Sequence, residues 1–432
     1  MHAPASELQR TIFHTSRQPG DSGRYRLALR WRFEGGRLDP AALERAAARL
    51  VDRHEALRTA LVEHDDLVWQ RVQPPWTPEV SYRDFGSLSA EAAEDAAHRW
   101  LDELHSRVQP LEGGRLLALA LAETGPGRGV LGLLTHHAAV DGHSVRILLD
   151  DLDRALGGDV LEPALVQYRD AVDAERRVLA AGDAPVVDHW RRTLDSVPAD
   201  CGLARPDRPG PDSTVCVPVA ADAREWMTSA RRRWRASPFA VLATALVVAL
   251  HRTTGRDVVS IGFPSAGRRD ALLEGVVGPC ANMVPLVSRC GPLDQVATHV
   301  RTVSGTLADA LDHDELSYDA LLRVLRPERL PGVAPYVDVS LNLTVLSETR
   351  TVGPVTLERV PAADPRGESM FAVTAAVLDV TGPLRLQLLY RGDRVAAGEV
   401  RRLGSAVAGA LDDLAEAPET LVLRPDPHPR TS

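Results

Sequence analysis

Ten consecutive residues, Thr135-His136-His137-Ala138-Ala139-Val140-Asp141-Gly142-His143-Ser144, hold the densest cluster of side chains able to do chemistry. Imidazole titrates near neutrality, so a histidine here can take a proton from an attacking amine or hydroxyl and hand it on. Adjacent histidines in a strand point to opposite faces, which puts one of His136 and His137 toward the core and the other toward a cleft; only one can be the base. Asp141 stands beside a glycine in a tight turn, where its charge can pin an arginine or orient the loop, and Gly142 lets the backbone bend close to a ligand. A metal centre does not fit, because His136, His137 and His143 lack the i, i+4 helical spacing of H-E-x-x-H. Nor does a serine hydrolase: in Gly262-Phe263-Pro264-Ser265-Ala266-Gly267, Phe263 occupies the place of the first glycine of G-x-S-x-G.

The elements that must position this cluster follow from periodicity. Arg115–Ala122 and Val130–Ala139 read as a strand pair across a glycine-rich turn at Gly125–Gly129, and Ser144–Leu156 reads as the helix beyond the cluster. Upstream, Tyr25–Phe33 alternates as a strand, and Asp39-Pro40 caps a helix expected to run through about His64. Leu67–Val72 and Glu79–Phe85 are expected strands, and Ser89–Val108 a second helix. The proline-rich stretch from Ala181 to Thr214 marks a connection, giving an N-terminal lobe over 1–180, a connecting segment over 181–214 and a C-terminal lobe over 215–432.

In the second lobe, Ser237-Pro238 caps an apolar helix to about His251, Asp257–Phe263 is a buried-type strand, and Leu293–Arg326 is helical in two pieces. Val337–Leu346, Val355–Val360, Phe371–Val380 and Leu384–Tyr390 form its strand set, with Thr381-Gly382-Pro383 as a hairpin turn, and Ala396–Glu416 is a closing helix. The class is therefore α+β in two lobes.

Composition narrows the function. The 432 residues carry 50 basic and 59 acidic side chains, a net charge of −9, so no global cationic field draws nucleic acid or an anionic membrane. Every basic residue is arginine, which excludes Schiff-base chemistry on a lysine. Arg231-Arg232-Arg233-Trp234-Arg235 reads as a solvated helix face. Cys201, Cys216, Cys280 and Cys290 are far apart, as expected of reduced packing thiols. The N-terminus carries no apolar leader, and the longest apolar run, Phe239–Leu250, is shorter than the roughly 20 residues of a bilayer span, so the chain reads as cytoplasmic and not membrane-embedded.

His136-His137-Ala138-Ala139-Val140-Asp141-Gly142 resembles the H-H-x-x-x-D-G signature of the condensation domains of nonribosomal peptide synthetases. Further segments resemble the same family in order. They are Ser6-Glu7-Leu8-Gln9-Arg10, Arg53-His54-Glu55-Ala56-Leu57-Arg58-Thr59, Tyr168-Arg169-Asp170, Gly262 to Arg268 with Val277 to Leu286, and His313 to Leu325. The sequence departs from the family at Pro279-Cys280-Ala281 and Ser317-Tyr318, where the acceptor side of the channel is expected to be remodelled.

The resemblance implies two chloramphenicol-acetyltransferase-like lobes arranged in a V, with an active-site tunnel between them. It implies no intrinsic cofactor. The donor would be an acyl or aminoacyl thioester on the phosphopantetheine arm of a peptidyl or acyl carrier protein. The acceptor would be an amine or hydroxyl, free or on a second carrier, and the product an amide or ester. By position, His137 would be the catalytic histidine and Gly142 would offer its N–H to the oxyanion. His136 and Asp141 would be structural, Asp141 pairing with Arg268, while Ser265, Asn282 and Ser144 would line the channel. If the chain is a whole gene product, the resemblance implies a free-standing enzyme that meets its carriers in trans. Two alternatives are an acyltransferase esterifying a diffusible polyketide or lipid alcohol, and a non-catalytic carrier-docking module.

Overall fold

Leu27, Leu29, Trp31 and Phe33 alternate with Ala28, Arg30 and Arg32, and this period of two makes Arg26–Glu34 one strand of a six-stranded sheet with its large apolar side chains against a buried core. The computed structural model describes residues 2–17, 25–105, 110–181, 184–328, 330–343, 349–360, 370–377 and 383–423. In chain order the first part contains β1 (His2–Pro4), α1 (Glu7–Ser16), β2 (Arg26–Glu34), α2 (Pro40–Arg53), β3 (Thr59–His64) and β4 (Leu67–Val72). It continues with β5 (Val80–Asp84), α3 (Ala90–His105), β6 (Leu117–Gly125), β7 (Arg128–His136), α4 (Gly142–Leu156) and α5 (Tyr168–Ala181). The second part contains α6 (Ala184–Leu194), β8 (Ser213–Ala220), α7 (Ala223–Trp234), α8 (Pro238–Thr254), β9 (Val258–Ser265), β10 (Asn282–Arg289) and α9 (Val296–Asp312). After it come α10 (Tyr318–Leu325), β11 (Val339–Leu343), β12 (Arg350–Val352), β13 (Val355–Val360), β14 (Val373–Val377), β15 (Leu384–Tyr390) and α11 (Ala397–Glu416).

The strands form two six-stranded sheets, ordered β12-β13-β2-β7-β6-β5 and β10-β9-β11-β14-β15-β8, and a small sheet β1-β4-β3. Helices cover both large sheets, so the protein is α+β. Val355–Val360, expected in the second lobe's strand set, instead pairs antiparallel with β2 of the first sheet, Leu357 opposite Phe33. Strand pairing is non-local, so the alternation that makes this segment a strand says nothing of which edge it joins.

One other expectation is corrected. Helix α2 stops at Arg53, and Thr59–His64 is a strand hairpinned to β4. The turn is Asp65-Asp66, both with positive φ, as a two-residue hairpin of the right-handed twist requires. Within 181–214, Val186, Trp190 and Leu194 share one face of α6 and enter the second core with Leu203. Residues 381 and 382 of the expected hairpin turn lie outside the described residues. Arg231, Arg232 and Arg233 are exposed on the last turn of α7. Among the described residues no single helix is long and apolar enough to cross a membrane, and the apolar α8 is buried in the second core.

Candidate active site

Strand β7 lies between β2 and β6 and ends at His136, and α4 begins at Gly142, so residues 137–141 are a turn from the middle of the first sheet into a helix. The turn is held by backbone hydrogen bonds, one of them to the residue before β2. His137 N–H donates to the Tyr25 carbonyl at 2.8 Å, and the Ala139 and Val140 N–H groups donate to the His136 carbonyl at 2.9 and 3.3 Å. His136 is buried, and its Nδ1 accepts the Ala138 N–H at 3.1 Å, which leaves the ring proton on Nε2. Burial, with His137 and Arg26 adding to it, pushes the His136 imidazole down to about 3, so the ring is neutral at ordinary pH.

His137 alone in the stretch 131–141 keeps partial exposure. Burial of its ring lowers its pKa, while the Asp141 charge and the Val140 carbonyl pull the other way. The ring is therefore neutral near pH 7, the state a proton acceptor needs.

Asp141 caps α4 and at the same time ties the two halves together. Its Oδ1 accepts the Ser144 N–H at 2.8 Å and the Ser144 hydroxyl at 2.7 Å. Arg268 donates from Nη1 to Oδ2 at 2.8 Å and from Nη2 to Oδ1 at 3.1 Å, and the Ala281 N–H reaches Oδ2 at 2.8 Å. Burial alone would raise this carboxyl, but the Arg268 guanidinium and the Ser144 donors outweigh it and hold Asp141 below the usual carboxylate range. Arg268 also donates to the Ala266 and Val276 carbonyls at 3.0 and 2.9 Å.

Two glycines make this contact possible. Gly267 has a φ of +61°, and a Cβ there would sit 1.8 Å from the Cys280 carbonyl oxygen. A Cβ on Gly278 would lie 2.2 Å from the ring of Tyr168. Gly142 differs, because a Cβ there would meet nothing within 4 Å. It is exposed at the first position of α4, where an N–H has no partner inside the helix and stands at the positive end of the helix dipole. His143 spans the halves again, its Nε2 donating to the Glu274 carbonyl at 2.9 Å.

Of the three residues expected to line the channel, two are committed to structure. Ser144 is fully buried, its hydroxyl engaged with Asp141 and with both the carbonyl and the N–H of Gly278, so it is scaffold and not channel wall. Asn282 is buried too, accepting the Tyr318 N–H at 2.8 Å and donating to the Leu316 carbonyl at 2.8 Å. Sequence reading could not see either set of backbone partners, which come from remote segments. Ser265 is buried with no partner for its hydroxyl among the described residues. Cys280, beside the Asp141 contact, is pushed up to about 12 by burial, so it stays a thiol and offers no thiolate nucleophile.

Elsewhere among the described residues, His189, Asp309 and His313 lie close enough to share an ion. The two imidazoles are stacked with centroids 3.6 Å apart and planes 3° from parallel, so their in-plane lone pairs do not converge on one point. The Arg53-His54-Glu55 segment is structural: His54 Nε2 stands 2.8 Å from Asp151 and joins α2 to α4. Gln9, to which the sequence assigns no role beyond its place in the Ser6–Arg10 segment, reaches this turn as well: its Nε2 donates to the Ala138 carbonyl at 3.1 Å.

A family model described as Condensation domain matches residues 1–427. The chain is 27% identical over 447 residues to phosphinothricin tripeptide synthetase PhsB of Streptomyces viridochromogenes, covering 99% of this chain and 37% of that protein. It is 30% identical over 366 residues to the probable non-canonical nonribosomal peptide synthetase CymA of Salinispora arenicola, covering 80% of this chain and 4% of that one. The chain thus spans well under half the length of these relatives. Among solved structures, the condensation domain of the monacolin K polyketide synthase MokA has the same fold, with a TM-score of 0.82 at 18% identity, covering 98% of this chain and 99% of that one. The X-domain from teicoplanin biosynthesis gives 0.81 at 20%, covering 97% and 96%. SgcC5 from Streptomyces globisporus gives 0.78 at 22%, covering 97% and 100%.

Proposed function

The chain belongs to the condensation-domain family, and from that premise we propose that it transfers an acyl or aminoacyl group from a carrier-protein thioester to an amine, forming an amide in natural-product biosynthesis. The observations that carry this reading are a neutral, partly exposed His137 in the turn and, five residues on, an exposed Gly142 at the first position of α4 with nothing within 4 Å of where a Cβ would stand. No intrinsic cofactor is required: the phosphopantetheine arm arrives with the donor.

In the reaction, the acceptor nitrogen forms a bond to the thioester carbonyl carbon and His137 takes the proton it sheds. The Gly142 N–H, at the positive end of α4, stabilises the developing oxyanion. Collapse breaks the C–S bond, and the departing pantetheine sulfur takes up a proton. Aminolysis of a thioester is already downhill, so much of the acceleration comes from holding the two reactants in line. Asp141, Arg268 and His136 keep the turn in place, and the uncommitted Ser265 hydroxyl is the channel residue proposed to meet substrate.

An alcohol acceptor giving an ester is the second reading, and the diol bound in the similarly folded SgcC5 structure is the reason to include it. Intact-protein mass spectrometry of acyl-loaded carrier, incubated with amine and alcohol acceptors and wild type or His137→Ala, tests both. Donor loss with a new amide or ester in wild type only supports the reading. Carrier binding without turnover across the panel supports a docking module instead.

A further inference from the structure

We propose that Gln9 is a positioning residue that sets the aim of His137 by gripping the turn that carries it; the inference rests on His137 being the catalytic histidine of the reading above. Gln9 sits in the first turn of α1 and is 1% exposed, a polar side chain taken wholly out of water. Both ends of its amide are engaged. Its Oε1 accepts the Ser6 N–H at 3.2 Å while Ser6 Oγ accepts the Gln9 N–H at 3.0 Å, a reciprocal capping box. Capping needs only the oxygen, and a glutamate would serve it equally. The Nε2 end does what no cap requires: it crosses 129 positions of sequence to the Ala138 carbonyl at 3.1 Å.

Ala138 follows His137 directly and is 2% exposed, so its carbonyl sits where losing a donor is costly. The Val140 carbonyl, two peptides further on, faces the His137 ring closely enough to favour its protonated form. If the Ala138 carbonyl lost its donor and rotated toward another, the Val140 carbonyl would move with it and the ring would swing. The Asp141–Arg268 pair fixes the far end of the turn and would stay in place. Displacements of this size matter because transfer between two bound reactants depends on sub-ångström alignment.

The grip is also referenced to the other half of the molecule. The Tyr168 hydroxyl stands 2.9 Å from Ser6 Oγ and 3.3 Å from the Pro279 carbonyl, in the segment that gives Asp141 the Ala281 N–H. The turn is therefore located from both ends against one reference segment.

Two variants separate donor from cap. Gln9→Glu keeps an oxygen for Ser6 but, ionised, cannot donate to Ala138; once protonated, which burial favours, it donates again. Gln9→Met removes both contacts. With carrier-loaded donor and an amine that wild type consumes in a His137-dependent way, Gln9→Glu should lose about tenfold or more in kcat near pH 8, with the acceptor KM within about twofold of wild type. Its deficit should shrink as pH falls toward about 6, whereas that of Gln9→Met should not. The His137 ring resonance, identified by its loss in His137→Ala, should move in Gln9→Met by NMR.

If wild type shows no His137-dependent turnover, the catalytic reading fails, and the resonance still decides whether Gln9 sets the ring. A kcat ratio of Gln9→Glu to wild type that stays flat between about pH 8 and pH 6, or a His137 resonance unmoved in a folded Gln9→Met, overturns the inference. Should Gln9→Met not fold, the pH dependence of that ratio decides alone.

Discussion

Arg268 and Asp141 stand 127 positions apart in sequence and meet through two parallel contacts of 2.8 and 3.1 Å, with side chains 0% and 2% exposed. Removing one partner of such a pair leaves the other charge buried, which costs about 3–5 kcal/mol. Asp141→Ala should therefore act first on folding, lowering soluble yield and the urea midpoint. Asp141→Ala with Arg268→Leu should recover part of that loss in equilibrium unfolding, because no charge is left stranded. A stably folded but inactive Asp141→Ala would contradict a structural role.

Gly142 leads to the opposite expectation. A methyl group there meets no protein atom within 4 Å, and alanine is well accommodated in the first turn of a helix, so Gly142→Ala should unfold at the wild-type denaturant concentration. On the proposed reading, in which the Gly142 N–H meets the developing oxyanion, the methyl would crowd the thioester carbonyl. Turnover should fall by about tenfold or more, read as product formed per enzyme by mass spectrometry.

Stability should depend on acid through two buried rings. Burial pushes His136 down to about 3 and His299, whose Nε2 lies 2.8 Å from Ser288 Oγ, down to about 4. Below the ordinary imidazole pKa of about 6.5 the unfolded chain binds protons that the folded chain refuses, so stability is full above that value and falls as pH drops toward about 4. Each ring contributes up to about 1.4 kcal/mol per pH unit in that window. Urea unfolding near pH 7.5 and pH 5 should show the loss, and His299→Gln should flatten the slope.

A fragment of residues 1–212 should fail to fold alone. It lacks Val352, Val355 and Leu357, which are 0–1% exposed in the first core, and it leaves the edge of β2 unpaired. Co-expression with residues 213–432 should restore soluble material, measured by co-purification of the two pieces.

The parts legible in sequence were those carried by local signals. Leu384–Tyr390 is a strand over the expected residues because Leu384, Leu386, Leu388 and Tyr390 recur at every second position and all face inward. The apolar helix after Ser237-Pro238 starts at its cap, and the run 135–144 does sit where a strand becomes a helix. Thr59–His64 was not legible, because Leu50, Leu57 and Leu61 continue a helix-compatible spacing past the end of α2.

At the site the limit was non-local hydrogen bonding. Ser144 and Asn282 look like small polar channel residues until their carbonyl and N–H partners, from 134 and 34 to 36 positions away, are in view. Gln9 could have been found in part: Ser6-x-x-Gln9 is a capping box on its face. Its second partner, Ala138, had no sequence signal.

The passage of β12 and β13 into the first sheet also governs how such domains can be recombined. Strands of the first sheet come from residues 26–136 and 350–360, and strands of the second from 213–343 and 373–390, so the chain exchanges sheets three times. A chimera joined once, within the proline-rich stretch before β8, would insert a foreign β13 beside the native β2 and bring mismatched side chains against Phe33. A compatible exchange of the first half has to transplant residues 349–360 with it, which makes this an interrupted cassette rather than a block.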